Sequence, residues 1–158
     1  MTQFKQLINP HSHSDGSLDG AATIKDIVKR NVELGATHVA CTEHGNMNTA
    51  MDLYKTTQKC GAKPILGCEL YMESPFMDEL EKRYRQLYNG EKDAEKKIQK
   101  KLKGQYVHLT VHFKDEWAWQ YFSRLSPVMD ERAVVRWGER KPIATLEEVA
   151  GAAGHITI

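Results

Sequence analysis

No stretch of this chain approaches the roughly 20 consecutive apolar residues that a membrane-spanning helix needs, and its first residues carry no signal-peptide core. Cysteine is scarce. Cys41, Cys60 and Cys68 are odd in number and lack any Cys-x-x-Cys spacing, so they read as reduced thiols of an intracellular protein. An excess of one charge is also missing: 22 basic residues face 21 acidic ones, for a net charge of +1. No global field therefore gathers nucleic acid around the molecule. What remains is an ordinary globular composition, 41% hydrophobic over 158 residues, enough for one domain with a real core. These absences predict a soluble, cytoplasmic protein with no membrane partner.

The pattern along the chain alternates strand and helix. Gln6 to Pro10 reads as a short strand, followed by a turn through Gly16 and Gly20. A helix opens at Thr23, with Ile24, Ile27 and Val28 on one face and Gly35 as its stop. His38 to Thr42 is a strand, and about Asn48 to Lys59 a helix carrying Met51 and Tyr54 on one face. Pro64 to Tyr71 is a nearly continuous apolar strand in which Cys68, like Cys41 before it, is expected to be buried and inert. This order predicts βαβ units and hence an α/β fold with a parallel sheet or barrel, whose strand ends share one rim.

From Ser74 to Gly104 the composition turns charged and basic, as in a solvated helical hairpin inserted in a loop; the alternative is a basic edge that guides phosphates toward the rim. Val107 to Phe113 then alternates strictly, which puts His108, Thr110 and His112 on one face. Asp115 to Leu125 reads as a helix, Thr145 to Ala150 as another with a Thr145/Glu148 capping box, and Gly154 to Ile158 as a last parallel strand. Such a finish suggests a chain cut short of its closing strands.

The chemistry-bearing residues sit at or near these strand ends. In Pro10-His11-Ser12-His13-Ser14-Asp15, the two imidazoles of an extended segment project to one side and suit a transition metal. Alone, a His-x-His pair is weak evidence. Asp19, His44, Glu69 and, less tidily, His108 strengthen it, because an α/β fold gathers strand ends in space. His38, His112 and His155 match no ligand pattern and read as ordinary histidines, while Gly45 and Gly67 read as backbone necessities.

Four ordered segments resemble the PHP (polymerase and histidinol phosphatase) superfamily, and within it the N-terminal PHP domains of bacterial DNA polymerase III alpha subunits. His11-Ser12-His13-Ser14-Asp15 with Leu18-Asp19-Gly20 resembles the first family motif, one residue shorter than its longest forms. Thr42-Glu43-His44-Gly45-Asn46-Met47 resembles T-D-H-G-N-M, Lys63 to Glu69 resembles K-P-I-x-G-x-E, and Tyr106 to Thr110 resembles F-H-L-T-L.

The resemblance implies an incomplete, distorted (β/α)7 barrel with residues 74–104 as a charged helical insertion. It implies up to three divalent ions, Zn, Mn or Fe. His11, His13 and Glu69 would bind one, Glu69 and His108 a second with a bridging carboxylate, and Asp19 and His44 the third. His13, His44 and Glu69 would carry the catalytic work, a phosphoesterase or 3′–5′ exonuclease reaction within a replicative polymerase. DNA, a proofreading subunit and a sliding clamp would be its partners. Nothing within these residues resembles a polymerase palm. A free-standing phosphoesterase of the histidinol-phosphatase kind and a non-catalytic scaffold module are the alternatives. Two departures matter: Glu43 replaces the usual Asp and could disturb a contact beside His44, and the family's later ligands have no counterpart by residue 158.

Overall fold

The computed structural model describes residues 8–17, 19–103, 105–136 and 138–158. Helix α1 (Ile24–Glu33) begins where the Thr23 side chain accepts from the Asp26 N–H, and it buries Ile24 and Val28. Strand β1 (His38–Cys41) and helix α2 (Ala50–Lys59) follow. These helices pack over β1 through Ile24, Val28, Val39, Cys41, Leu53 and Ala62. The predicted Met51/Tyr54 face of α2 points outward, at 55% and 47% exposure; the buried face is Ala50, Leu53 and Thr57. The i, i+3 pair was too short a pattern to fix the direction of the helix.

Strand β2 (Lys63–Glu73) is the spine of the molecule. One edge takes β1 in parallel, with Val39 opposite Pro64 and Cys41 opposite Leu66. Farther along β2, Tyr71 and Met72 take β6 (Ile143–Ala144), also in parallel. The other edge pairs with β3 (Tyr106–Phe113), and here the expectation of a parallel sheet fails: the pair is antiparallel, with Tyr71 opposite His108. Strand β7 (Ile156–Thr157) is likewise antiparallel to β3. The reason lies in the connection. Helices α3 (Met77–Leu87) and α4 (Ala94–Leu102) form the expected charged hairpin; α3 buries no residue, but α4 is not wholly solvated, since it buries Ile98 and Leu102. Such a hairpin projects from an antiparallel turn instead of covering the sheet as a crossover helix does. Among the described residues the sheet stays open; it is a mixed α/β fold.

Helix α5 (Glu116–Glu131) runs past the expected end at Leu125 and through Pro127, while Phe122 and Met129 pack into the core. A short hairpin, β4 (Val134–Arg136) with β5 (Glu139–Lys141), escaped the sequence reading; its one local signal was Gly138, which turns at φ +82°. Helix α6 (Leu146–Gly151) has the predicted capping box between Thr145 and Glu148. No helix among the described residues is long and apolar enough to cross a membrane.

Period-two alternation assigns the two faces of β2 and β3 opposite tasks. Cys68, Leu70, Met72 and Val111 point into the core beneath α5 and α6, joined by Val107, Leu109 and Phe113. Glu69, Tyr71, Tyr106, His108 and His112 occupy the alternate positions and so share the other face. Gly67 lets the strands approach: a Cβ there would stand 2.3 Å from the Val111 carbonyl oxygen.

Candidate metal centre

The N-terminal segment forms no strand over residues 8–14, and the part of the predicted first strand at residues 6–7 lies outside the described residues. A single backbone bond, from the Thr42 N–H to the Ser12 carbonyl at 2.8 Å, lays the segment beside the end of β1. The Ser12 hydroxyl donates to the Ala40 carbonyl, which turns Ser12 away from its two histidine neighbours. His112 holds the same segment from the sheet, its Nε2–H donating to the Pro10 carbonyl at 2.7 Å. Read as an ordinary histidine, His112 is thus a tether for the His11/His13 segment. Its signal was its register, two steps of the alternation beyond His108 on the same face.

The histidines converge on Glu69, which is 4% exposed. Its Oε2 lies 2.8 Å from His11 Nε2, 2.9 Å from His13 Nε2 and 3.4 Å from His44 Nδ1. Its Oε1 lies 2.6 Å from His108 Nδ1. His44 Nε2 reaches Asp19 Oδ2 at 2.8 Å, and the His13 and His44 rings stack at 4.2 Å. Glu69 sits in the middle of β2 and His108 near the start of β3, so the cluster lies against the sheet face and not, as the sequence suggested, wholly on a rim of strand ends. An antiparallel partner makes this possible, because it brings the start of β3 beside the end of β2.

Burial by itself raises the Glu69 carboxyl, but hydrogen bonds from His11 and His108 and the charge of His44 outweigh it and hold Glu69 below the usual range. Asp19 is lowered in the same way: desolvation opposes, and the hydrogen bond and charge of His44 prevail. Both carboxylates are therefore ready to serve as anionic ligands at neutral pH.

Three groups of donor atoms could each hold a metal ion: His11, His13 and Glu69; His13, Asp19 and His44; His44, Glu69 and His108. All six predicted ligand residues enter these groups. The fit has an independent mark. His13 Nδ1 and His44 Nδ1 are buried without a hydrogen-bond partner, the latter standing 3.4 Å from Glu69 Oε2 without bonding to it. Neutral imidazoles and carboxylates are the donor chemistry of Zn, Mn and Fe sites.

Residues just behind the cluster fix it. The Gly45 N–H donates to the Glu69 carbonyl at 2.8 Å and the Glu69 N–H to the Glu43 carbonyl at 3.0 Å, which locks the backbone at 43–45 to β2. Gly45 has a φ of +63°, a conformation glycine adopts without strain. Glu43 does not touch the His44 ring. Its buried carboxylate takes hydroxyl hydrogen bonds from Ser14, from Ser17 at 2.6 Å and from Thr49 at 2.9 Å. The His44 N–H donates to the same Ser17 oxygen at 3.0 Å, so Glu43 acts on His44 through Ser17. This hub was visible in sequence only as a departure from the family pattern.

The PHP domain family profile matches residues 9–156. This chain belongs to the PHP domain family. It is also similar to proteins named DNA polymerase III subunit alpha: 47% identical over 73 residues to that of Borreliella burgdorferi, 45% over 75 to that of Campylobacter jejuni, and 40% over 67 to that of Mycobacterium tuberculosis. These matches cover 46%, 47% and 42% of this PHP chain and 6% of each relative.

The thiols of the PHP chain stand outside the cluster. Burial pushes Cys41 and Cys68 up to about 12, and the neighbouring carboxylates Glu43 and Glu69 respectively add to the shift; Cys60 is exposed. In the folded protein at about pH 8, a chromogenic disulfide reagent should therefore titrate Cys60 alone, with Cys41 and Cys68 appearing only after denaturation. A second fast-reacting thiol in the native protein would contradict this burial.

Proposed function

We propose that this chain is the N-terminal PHP segment of a replicative DNA polymerase III alpha subunit and that its donor cluster is a metal-dependent phosphoesterase site of the 3′–5′ exonuclease type. In this reading the mixed sheet is part of a distorted (β/α)7 barrel, with residues 74–104 as its insertion. The protein works in the cytoplasm on DNA, beside a proofreading subunit and a sliding clamp. The observation that carries the proposal is the convergence of four imidazoles on one buried carboxylate, Glu69, with Asp19 closing the set through His44.

His11, His13 and Glu69 would hold one ion, His44, Glu69 and His108 a second, and Asp19 with His44 and His13 a third. Divalent ions in such a site supply a deprotonated water near neutral pH and neutralise charge developing on a phosphate ester. The chain's own residues set the geometry. Asp19 orients the His44 ring, Glu69 ties β2 to both loop histidines, and His13 and His44 form the inner, catalytic wall beside it. His11 and His108, with side chains 46% and 43% exposed, form the outer, solvent-facing edge of the donor set.

The test joins metal analysis of the purified protein to hydrolysis of a 3′-labelled single strand in Mn2+ and in Zn2+. The expected result is bound metal and stepwise 3′–5′ release of nucleotides, both abolished by His13→Ala. Hydrolysis that survives this substitution, or protein that acquires no metal, would remove the enzymatic reading.

A further inference from the structure

The near-zero net charge of the chain hides a local excess. Between α4 and β4 runs a groove of about 750 Å3 whose charged lining residues are all cationic: Lys97, Lys100, Lys101 and Lys103 on one side and Arg136 on the other. Tyr84 and Tyr88, at the end of α3, complete this wall, with ring centroids 6.4 Å apart. Lys97 stands 5.9 Å from the Tyr88 ring and is paired with Glu91. Lys100, Lys101 and Lys103 are all exposed.

The groove leads to the donor cluster. Lys100 and Lys103 also line an adjoining recess of about 730 Å3, which reaches Tyr106. Tyr106 in turn lines the recess over the cluster, together with Lys141, Tyr71, His44 and His108. Aromatic rings and cations continue along this path, beside the carboxylates of Glu73, Glu81 and Glu139, the last paired with Lys141. The Arg136 guanidinium lies 5.5 Å from the Tyr106 ring, and Lys141 Nζ lies 5.2 Å from the Tyr71 ring. Tyr106 is 5.0 Å from Tyr71, and Tyr71 is 5.6 Å from His44.

We propose that this groove binds the phosphodiester backbone of single-stranded DNA and leads the strand to the cluster. Lysines held on a rigid helix offer a row of positive charges, while tyrosine faces offer platforms to unpaired bases; together these are the two components of sequence-independent single-strand binding. A small phosphate monoester would have no use for cations at this remove from the donors. The strand's destination rests on the phosphoesterase reading above, whereas binding in the groove does not.

The experiment is fluorescence anisotropy of a labelled oligothymidylate with the full chain in EDTA, where neither hydrolysis nor metal bridging contributes. The double variant Lys100→Glu/Lys103→Glu should bind at least about tenfold more weakly and flatten the dependence of log affinity on log salt by about 1.4, at about 0.7 per lost cation. Lys100→Gln/Lys103→Gln, which avoids new repulsion, should flatten the slope similarly with a smaller loss of affinity. Tyr88→Ala should weaken binding about tenfold while leaving the salt slope unchanged. Circular dichroism of each variant confirms that it is folded.

Lysine variants that bind like the parent would overturn the proposal, and so would polyglutamate competing as well as the oligonucleotide. A duplex of equal length binding as tightly as the single strand would overturn its single-strand assignment. The two readings fail separately. DNA bound through the groove but never cut in Mn2+ leaves the groove standing without the nuclease, and cutting unaffected by the lysine variants does the reverse.

Discussion

Replacing Glu69 by Ala should abolish specific metal binding by the PHP cluster, with affinity falling at least about a hundredfold, the upper range seen even for residues that only support ligands. Glu69 is the one carboxylate shared by two of the three donor groups, and it supplies both oxygens, Oε2 toward His11 and His13 and Oε1 toward His108. Without it, imidazoles whose rings lie between 4.2 and 5.0 Å apart have no common anionic partner. A divalent ion then loses both a ligand and the negative charge that offsets its desolvation. Glu69→Gln should behave similarly, since it keeps the shape and loses the charge. The β2–β3 ladder does not depend on this side chain, so secondary structure should persist in either variant.

Elemental analysis after dialysis against Mn2+ or Zn2+ gives the direct reading. Thermal melting gives a second. An ion at about a hundredfold excess over its dissociation constant stabilises a folded protein by about 2.7 kcal/mol. For a domain of this size that corresponds to a rise of roughly 5–11 °C. The rise should occur in the parent and vanish in Glu69→Gln. A variant that keeps the parent's metal content and the same metal-dependent rise would show that Glu69 is not a ligand.

The second large effect is expected at Glu43, which is 1% exposed and binds no metal donor directly. Glu43→Leu strands the Ser14, Ser17 and Thr49 hydroxyls, which all donate to this carboxylate. Orphaning buried hydroxyls in this way costs about 2–4 kcal/mol, a fall in melting temperature of roughly 10 °C. Glu43→Asp should also destabilise, because it shortens the reach to Ser17 by about 1.5 Å. Glu43→Gln keeps the reach and loses charge-assisted bonds worth about 1–2 kcal/mol.

The cost of Glu43→Gln should depend on pH with a definite sign. Burial pushes the Glu43 carboxyl up, but the hydrogen bonds from Ser14, Ser17 and Thr49 prevail and hold it below its ordinary value of 4.5. Its ionised form therefore stabilises the folded state fully above that value, and the contribution is lost as pH falls through the lower folded pKa. Denaturant melts of parent and Glu43→Gln should diverge at neutral pH and converge in acid. Equal differences at pH 7 and pH 3 would show that Glu43 contributes by shape alone.

Much of this molecule was legible in its residues. The periodicity of Ile24, Ile27 and Val28 gave α1, the Thr145/Glu148 spacing gave its capping box, and the alternation from Val107 to Phe113 put His108 and His112 on the same face. All six predicted donors enter the three groups, because their residue types and order are properties of the chain itself. The sequence also determined that Cys41 and Cys68 lie in apolar runs and are buried. Strand direction was not legible. The strand–helix order at the start of the chain pointed to a parallel sheet, and the alternation from Val107 to Phe113 fits a strand of either direction, so nothing local announced that β3 runs antiparallel. Only the tertiary structure put Glu69 on the sheet face beneath the histidines, gave His112 and Glu43 their supporting roles, and set the lysines of α4 on a groove whose neighbouring recess meets the one over the cluster at Tyr106. The physical reason is range. Periodicity, caps and donor types are set by neighbours within a few residues, whereas strand direction and the filling of a space between distant segments are decided by which packing buries the core.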